Sequence, residues 1–284
     1  MIPFIIGAFC AAAFFLLGAM LYDSNRFVTV EYRVRCRNLK RKYRFVMLSD
    51  LHNKRYGKHN ERLLAAIDAQ KPESILIAGD MLTSETPGRF EPALETTEAL
   101  AEKYPVYYAN GNHEYRMKTE AEHYGSGYRR YHESLVKKGV VFLENDSLLL
   151  PETGIRLCGA EIGKEYYQKL KRGKMTVSYL NGLLGKPSEG EYHILIAHNP
   201  DYFPAYAQWG ADLVLSGHVH GGIMRLPFLG GVLSPALRLF PKYDGGLFCE
   251  GDSVMILGRG LGSHTIPIRI FNPGELIVVS LEPE

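Results

Sequence analysis

Gly217-His218-Val219-His220-Gly221-Gly222 follows the apolar run Leu213-Val214-Leu215, and the rest of the chain can be read outward from it. In an extended strand-end backbone, side chains at i and i+2 project to the same face, so His218 and His220 can enter one small volume. Two imidazoles placed in this way can bind one metal ion or one each of two; by itself the motif also fits two surface histidines after a strand. The pattern recurs along the chain. Phe45-Val46-Met47-Leu48 ends in Ser49-Asp50-Leu51-His52, Ile75-Leu76-Ile77-Ala78 ends in Gly79-Asp80, and Val106-Tyr107-Tyr108-Ala109 ends in Asn110-Gly111-Asn112-His113-Glu114. A further run, Tyr192 to Ala197, delivers His198. Helical patterns separate the first three runs, one with Leu63, Leu64 and Ile67 on a single face and one over about Pro92 to Lys103, which predicts an α/β fold. In open α/β sheets ligands bind beyond the carboxyl ends of the strands, so these polar groups are expected at one shared site.

The formal net charge of the 284 residues is +2, which argues against a dedicated nucleic-acid binder with its strong basic excess. Cys10, Cys36, Cys158 and Cys249 are scattered and form no Cys-x-x-Cys pair, so no disulfide framework is expected and a reducing compartment is favoured.

Residues Ile2 to Tyr22 carry no charged side chain. About 21 residues at 1.5 Å each reach roughly 31 Å, enough to cross a hydrocarbon core. No basic segment precedes the run and no small-x-small cleavage pattern follows it, so residues 1–25 are expected to be an uncleaved transmembrane anchor rather than a signal peptide. Arg26, Arg33, Arg35, Arg37, Lys40, Arg41, Lys42 and Arg44 follow, against only Asp23 and Glu31. The positive-inside tendency then predicts a single-pass protein of the cell membrane with residues 26–284 as one cytoplasmic domain, its basic cluster drawn to anionic lipid. Val28 to Val34 also reads as an alternating strand with a charged outer face.

Beyond the third ligand run, a helix is predicted over Tyr124 to Lys138, then a strand from Val140 to Leu143 and a hairpin of Ser147–Leu150 with Ile155–Ala160. Lys164 to Lys174 is basic and tyrosine-bearing, a pattern most simply read as a solvated helix or loop. The chain closes on predicted strands Ser253–Leu257, Ile268–Phe271 and Leu276–Leu281.

The candidate metal ligands are Asp50, His52, Asp80, Asn112, His198, His218 and His220. Oxygen and imidazole donors without thiolates suit manganese, iron(II) or zinc. So many groups exceed what one open catalytic ion needs and match two ions, for which Asp80, with two oxygens, is the natural bridge.

Asp-x-His at Asp50 to His52, Gly-Asp at Gly79 to Asp80, Gly-Asn-His-Glu at Gly111 to Glu114, His198 after its strand, and Gly-His-x-His at Gly217 to His220 together resemble the five-block signature of the calcineurin-like metallophosphoesterases. The likeness runs from about Phe45 to Leu281. The apolar N-terminus, the Gly-Gly-x-x-Arg-Leu-Pro-Phe run and the late Arg-Gly-Leu-Gly segment are similar to the membrane-anchored bacterial YkuE-type branch. The resemblance implies a four-layer αββα sandwich after one transmembrane helix, and hydrolysis of phosphoesters by a two-metal centre with a bridging hydroxide, manganese leading and iron(II) or zinc as alternatives. It assigns Asp50, His52, Asp80 and His220 to the first ion, and Asp80, Asn112, His198 and His218 to the second. His113 would lie outside the metal shell, binding phosphate or protonating the leaving oxygen. Thr83 stands where many relatives have an aspartate, which bears on supporting contacts rather than on the ligands. Glu114 would either orient His113 or be a surface residue capping the following turn.

Ile223 to Leu233, continuing to Phe240-Pro241, is apolar, rich in Gly and Pro, and begins beside the ligands. It is expected to receive an acyl chain or dip toward the bilayer while Arg225 or Arg259 meets a phosphate; the other reading is a loop packed on its own domain. The expected function is a phosphodiesterase acting at the membrane on a lipid-linked or amphiphilic phosphoester. A phosphodiesterase of soluble nucleotides or cyclic dinucleotides is the alternative, and a non-catalytic membrane scaffold the third, disfavoured because no ligand is missing.

Overall fold

The computed structural model describes every residue except 87, 169–172, 227–228, 234–238 and 264–267. Among the described residues two six-stranded sheets pack face to face. The first runs, in spatial order, Phe27–Cys36, Gly274–Pro283, Tyr43–Leu48, Ser74–Ala78, Val106–Ala109 and Val141–Phe142. The second runs Gly246–Glu250, Ser253–Leu257, Leu213–Ser216, Tyr192–Ile196, Ile155–Gly159 and Asp146–Leu149.

The uninterrupted apolar runs exist because each central strand is covered on both faces. Phe45 and Met47 face the second sheet, while Val46 and Leu48 face outward beneath helices. Leu76 and Ala78 divide from Ile75 and Ile77 in the same way. In the second sheet Ile194 and Ile196 point inward and Leu195 outward, as do Leu213 and Leu215 against Val214. Leu63 and Ile67 of Glu61–Gln70, Leu100 of Glu91–Ala101 and Leu135 of Gly127–Lys137 close the outer face of the first sheet. Leu180 of Val177–Leu184 and Phe203 and Tyr206 of Phe203–Trp209 close that of the second. The result is a four-layer αββα sandwich with three buried seams.

The strands whose ends bear the candidate ligands are parallel within each sheet: Tyr43–Leu48 with Ser74–Ala78 and Val106–Ala109, and Tyr192–Ile196 with Leu213–Ser216. Their carboxyl ends therefore open on one edge of the sandwich. Three expectations change. The helix expected over 124–138 is two helices, Ala121–Tyr124 and Gly127–Lys137, parted at Gly125, whose φ of 68° a helix cannot take. Ile268–Phe271 is not a strand; it makes an isolated bridge from Ile270 to Met224. The Ile223 to Leu233 stretch is an antiparallel ribbon of Met224–Leu226 and Gly230–Leu233. Of that stretch Pro227 and Phe228 lie outside the described residues.

A helix at Ile2–Ser24 is long and apolar enough to cross a membrane by length and composition. Its end is fastened to the sandwich. The Asp23 carboxylate, 3% exposed, accepts from Arg26 Nε at 2.9 Å and from the Asn272 backbone N–H at 3.1 Å, and Phe15 meets Phe271 at 6.2 Å between ring centroids.

Candidate metal centre

The strand ends converge so closely that several ligands sit in backbone conformations their residue types rarely adopt. Asp50 (φ 51°), His52 (46°), Asp80 (55°), His218 (74°) and His220 (53°) are all left-handed. Each such position costs of order 1 kcal/mol or more and persists only where the surroundings over-determine it. Here the surroundings are backbone hydrogen bonds between loops: Asp50 N to Gly79 O at 3.0 Å, His52 N to Asp80 O at 3.1 Å and Gly262 N to Asp50 O at 2.6 Å. There is no room for a side chain between them. A Cβ on Gly111 would stand 2.7 Å from Asp80 Cγ and closer still to Oδ1, and one on Gly217 would overlap Asp50 Oδ2.

Three histidines are oriented alike. The Nδ1 atoms of His52, His198 and His220 face backbone carbonyls of Leu82 (3.3 Å), Ala78 (2.6 Å) and Gly262 (3.1 Å). A carbonyl only accepts, so in the neutral ring Nδ1 holds the proton and Nε2 presents a lone pair. His52 Nε2 and His220 Nε2 then face each other at 3.2 Å as two lone pairs, an arrangement that a shared cation stabilises. Asp50 Oδ1 stands 3.5 Å from the latter. Asp50, His52 and His220 form one group with ligand atoms within 4.8 Å of one another and Asp80, His198 and His218 form another, while His52, Asp80 and His113 meet the same limit between them. Asp50 also accepts the His218 backbone N–H at 2.9 Å, tying the two groups together.

The buried atoms left over point the same way. Among the described residues Asp80 Oδ2, Asn112 Oδ1 and His198 Nε2 are buried without a hydrogen-bond partner. His198 Nε2 approaches Asp80 Oδ2 to 3.0 Å but lacks the alignment of a hydrogen bond. Buried polar atoms that lack partners are costly, and a carboxylate, an amide oxygen and an imidazole lone pair converging on one point fit a divalent ion. Electrostatics agrees. Burial lowers the His198 pKa, but the charges of Asp80 and Asp50 outweigh it and hold the imidazole up at about 10. Burial pushes the Asp50 carboxyl up to about 6, His198 opposing and Asp80 adding to the rise. Burial alone would raise Asp80 too, yet His198, His113 and His52 around it hold it well below the usual carboxylate range. The cluster thus draws positive charge to itself, and a metal ion supplies it without a proton.

His113 is built the other way round. Its Nδ1 accepts the Ser84 backbone N–H at 2.9 Å, with Ser84 Oγ also at 2.9 Å, so the neutral ring carries its proton on Nε2, which faces Asp80 Oδ2 at 4.0 Å. It thus turns a donor toward Asp80, and with His52 and Asp80 it forms a group whose ligand atoms lie within 4.8 Å of one another. Ser84, the neighbour of Thr83, supplies the support that its sequence position did not signal.

Glu114 neither orients His113 nor lies at the surface. It is fully buried and its carboxylate accepts from the backbone N–H groups of Asp80 (2.9 Å), Met81 (2.9 Å), Leu82 (3.4 Å) and Gly111 (3.0 Å) and from Tyr108 Oη (2.8 Å). It caps the helix Asn112–Thr119 and shapes the Asp80 loop at once. Tyr167, in the stretch read as solvated, packs edge-on to His218 at 5.3 Å between centroids; residues 169–172 of that stretch lie outside the described residues. Arg225 and Arg259 engage carboxylates, Asp244 at 3.1 Å and Glu275 at 3.0 Å respectively. Asn272, fully buried, donates its amide to the carbonyls of His220 (2.8 Å) and Gly222 (2.7 Å) and so fixes the turn that carries His220.

Comparison with known proteins gives the same site a family. The metallophosphoesterase YkuE of Bacillus subtilis is 26% identical over 248 residues, spanning 84% of this chain and 79% of its own. The phosphodiesterase YaeI of Escherichia coli is 27% identical over 229 residues, 78% of this chain and 76% of that one. A transmembrane protein with a metallophosphoesterase domain from Danio rerio is 27% identical over 248 residues, covering 84% of this chain and 53% of that protein. One solved structure superposes with a TM-score of 0.50 at 10% identity, covering 76% of this chain and 90% of its own, a likeness of fold alone. The family model described as calcineurin-like phosphoesterase matches residues 43–222, a span that takes in every strand-end ligand from Asp50 to His220. A cation-demanding cluster of aspartates and histidines at the mouth of an αββα sandwich, inside that match, makes this chain a member of the calcineurin-like phosphoesterases and a metal-dependent phosphoester hydrolase.

Proposed function

We propose that the chain is a two-metal phosphodiesterase working at the membrane surface on a lipid-linked or amphiphilic phosphoester. Two ions are supported by the grouping of Asp50 with His52 and His220 and of Asp80 with His198 and His218, to which the overlapping group of His52, Asp80 and His113 adds a link; Asn112 Oδ1 would complete the second ion and Asp80 would serve both. When bound, two divalent ions, manganese by the family resemblance with iron(II) or zinc as alternatives, would supply a hydroxide nucleophile at neutral pH and neutralise phosphate oxygens. The residues do the rest. His113 donates its Nε2 proton as a hydrogen bond to the phosphate or the leaving oxygen, and Ser84 keeps that tautomer in place. Tyr167 walls the His218 side.

The observation that carries the membrane reading is the link through Asn272. Its backbone is held by Asp23 at the end of the apolar helix, and its side chain holds the His220 turn. A helix that enters the bilayer over residues 1–25 therefore brings the metal centre to the membrane surface, on the cytoplasmic side by the basic residues that follow. Leu229, Leu239, Phe240 and Phe271 are exposed on the ribbon and the segment it bridges to. An apolar cavity of about 700 Å³ lies between Phe14 and Phe15 of the helix and Phe271 and Pro273 of the domain, a place suited to an acyl chain. The likeness to a phosphodiesterase of Escherichia coli supports the diester preference.

The test uses the full chain in mixed micelles with manganese. Turnover of a phospholipid diester is compared with that of bis(p-nitrophenyl) phosphate, before and after Leu229, Leu239 and Phe240 are replaced by Ser. The ratio of lipid to chromogenic turnover should fall by about tenfold or more, the equivalent of burying roughly two methylenes. An unchanged ratio removes the lipid substrate and leaves a hydrolase of soluble diesters.

A further inference from the structure

A cleft opens beside the metal centre. Between the helix Asn112–Thr119 and the turn Lys164–Tyr167 lies a space of about 270 Å³ lined by Asn112, Tyr115, Arg116, Glu120, Lys164, Tyr167 and Gln168. It adjoins the metal centre, since Asn112, whose buried Oδ1 lacks a partner, lines it and Tyr167 packs against His218. Arg116 follows Asn112 by four residues, so the two share a helix face about 6 Å apart along the axis. Side chains on a helix lean toward its N-terminus, which turns the guanidinium back toward the centre. Its Nη1 reaches Ser84 Oγ at 3.3 Å, the same hydroxyl that lies 2.9 Å from His113 Nδ1.

The charge of Arg116 is what sets the cleft apart. Arg225 and Arg259 each hold a carboxylate, and Lys164 at the exposed rim pairs with Glu120 at 3.7 Å. Among the described residues no carboxylate pairs with Arg116, which is half-buried beside the tyrosines. Glu120 also lines the cleft but is engaged by Lys164, so the Arg116 guanidinium is left for an anion with several oxygens, and its planar fork matches phosphate better than any other side chain does.

We infer that this cleft binds a second phosphate of the substrate, separated by a short spacer from the phosphate at the metal centre, and that Arg116 is the residue that recognises it. Tyr115 and Tyr167 form walls around the spacer. The inference rests on the phosphoester-hydrolase reading of the centre and adds a substrate class to it: diesters whose headgroup carries a further phosphate. A three-carbon spacer puts two phosphates about as far apart as one helical turn separates Asn112 from Arg116.

Isothermal calorimetry on the manganese-loaded full chain, with glycerol 1,3-bisphosphate and glycerol 3-phosphate as probes, tests it without requiring turnover. The wild type should bind the bisphosphate about ten- to a hundredfold more tightly, the span a charge-assisted hydrogen bond supports. Arg116→Ala should reduce that advantage to about threefold or less, and Arg116→Lys, which keeps the charge but not the fork, should retain part of it. Thermal melts of both variants matching the wild type exclude a folding defect; if Arg116→Ala melts early, the Lys variant decides. Equal affinities in the wild type, or a full advantage surviving in Arg116→Ala, overturns the inference. Hydrolysis of bis(p-nitrophenyl) phosphate is measured in parallel. An Arg116-dependent advantage without hydrolysis would sink the enzymatic reading and spare the site, and hydrolysis without the advantage would do the reverse.

Discussion

Glu114→Gln preserves the volume of a fully buried side chain while replacing one acceptor oxygen by an amide. Oε2 accepts from the N–H groups of Asp80 and Gly111, and Oε1 from those of Met81 and Leu82 and from Tyr108. An amide nitrogen can accept from none of them. Placing it on the Oε2 side is the smaller loss and still leaves the Asp80 and Gly111 N–H groups facing a donor. Two buried hydrogen bonds to a charged acceptor correspond to about 3–6 kcal/mol. Part of this is offset, because the neutral amide escapes the burial that, with the charge of Asp80, pushes the Glu114 carboxyl up to about 7. A net loss of roughly 2–4 kcal/mol remains, which in a chain of this size lowers the melting temperature by about 5–15 °C. The same two N–H groups set the Asp80 loop and the start of the Asn112 helix, so metal binding should weaken in parallel. Differential scanning calorimetry with and without chelator, together with elemental analysis of the purified variant, reads both effects. A melting temperature within about 2 °C of the wild type and full metal content would show that Glu114 is not the organiser of this loop.

Three further outcomes are expected. Asp80→Asn, which keeps the shape but removes the carboxylate that His52, His113 and His198 surround, should weaken divalent-ion binding by about 100-fold or more and abolish hydrolysis, as read by metal titration and turnover. Asn272→Ala should weaken metal binding about 10–100-fold by releasing the His220 and Gly222 carbonyls, although the side chain touches no ligand atom; an unchanged titration would refute its positioning role. The ion pair with Arg156 holds the Glu191 carboxyl below the usual range. A depressed carboxylate contributes stability above its unfolded pKa of about 4.3 and loses it as pH falls through the folded value. The melting temperature of Glu191→Gln should therefore lie below that of the wild type near neutrality and converge with it at strongly acid pH; a constant gap across the range contradicts the assignment.

Much of the frame was legible because both central sheets are covered on both faces. That forces runs such as Phe45 to Leu48 and Leu213 to Leu215, and the abrupt switch to Asp, Asn and His at their ends has no explanation in a core. Candidate ligands could be picked out from those switches. Where regular burial gave way to irregular contact, reading failed: Ile268–Phe271 looks like a strand by composition, but it makes its bridge to the Met224 ribbon rather than a ladder in a sheet. Glu114 is next to His113 in sequence and looked like its partner, whereas helix geometry turns it to the Asp80 loop. Arg225 and Arg259 drew attention by position, yet each has a carboxylate that only folding brings near, Glu275 being 16 residues from Arg259 and Asp244 19 from Arg225.

The amino-acid order by itself determined the central strands, the apolar first helix and the candidate metal-binding side chains, because these follow from hydrophobic period and residue type, which are local, whereas the four-layer sandwich was implied only by the family resemblance. Tertiary structure alone decided which nitrogen of each histidine faces the centre, since that depends on whether the other nitrogen meets a carbonyl, as at His52, His198 and His220, or a backbone N–H, as at His113. It also decided the left-handed backbone at Asp50, Asp80 and His220 and the reach of Arg116 to the Ser84 hydroxyl, because strain and pairing are properties of what surrounds a residue and not of the residue.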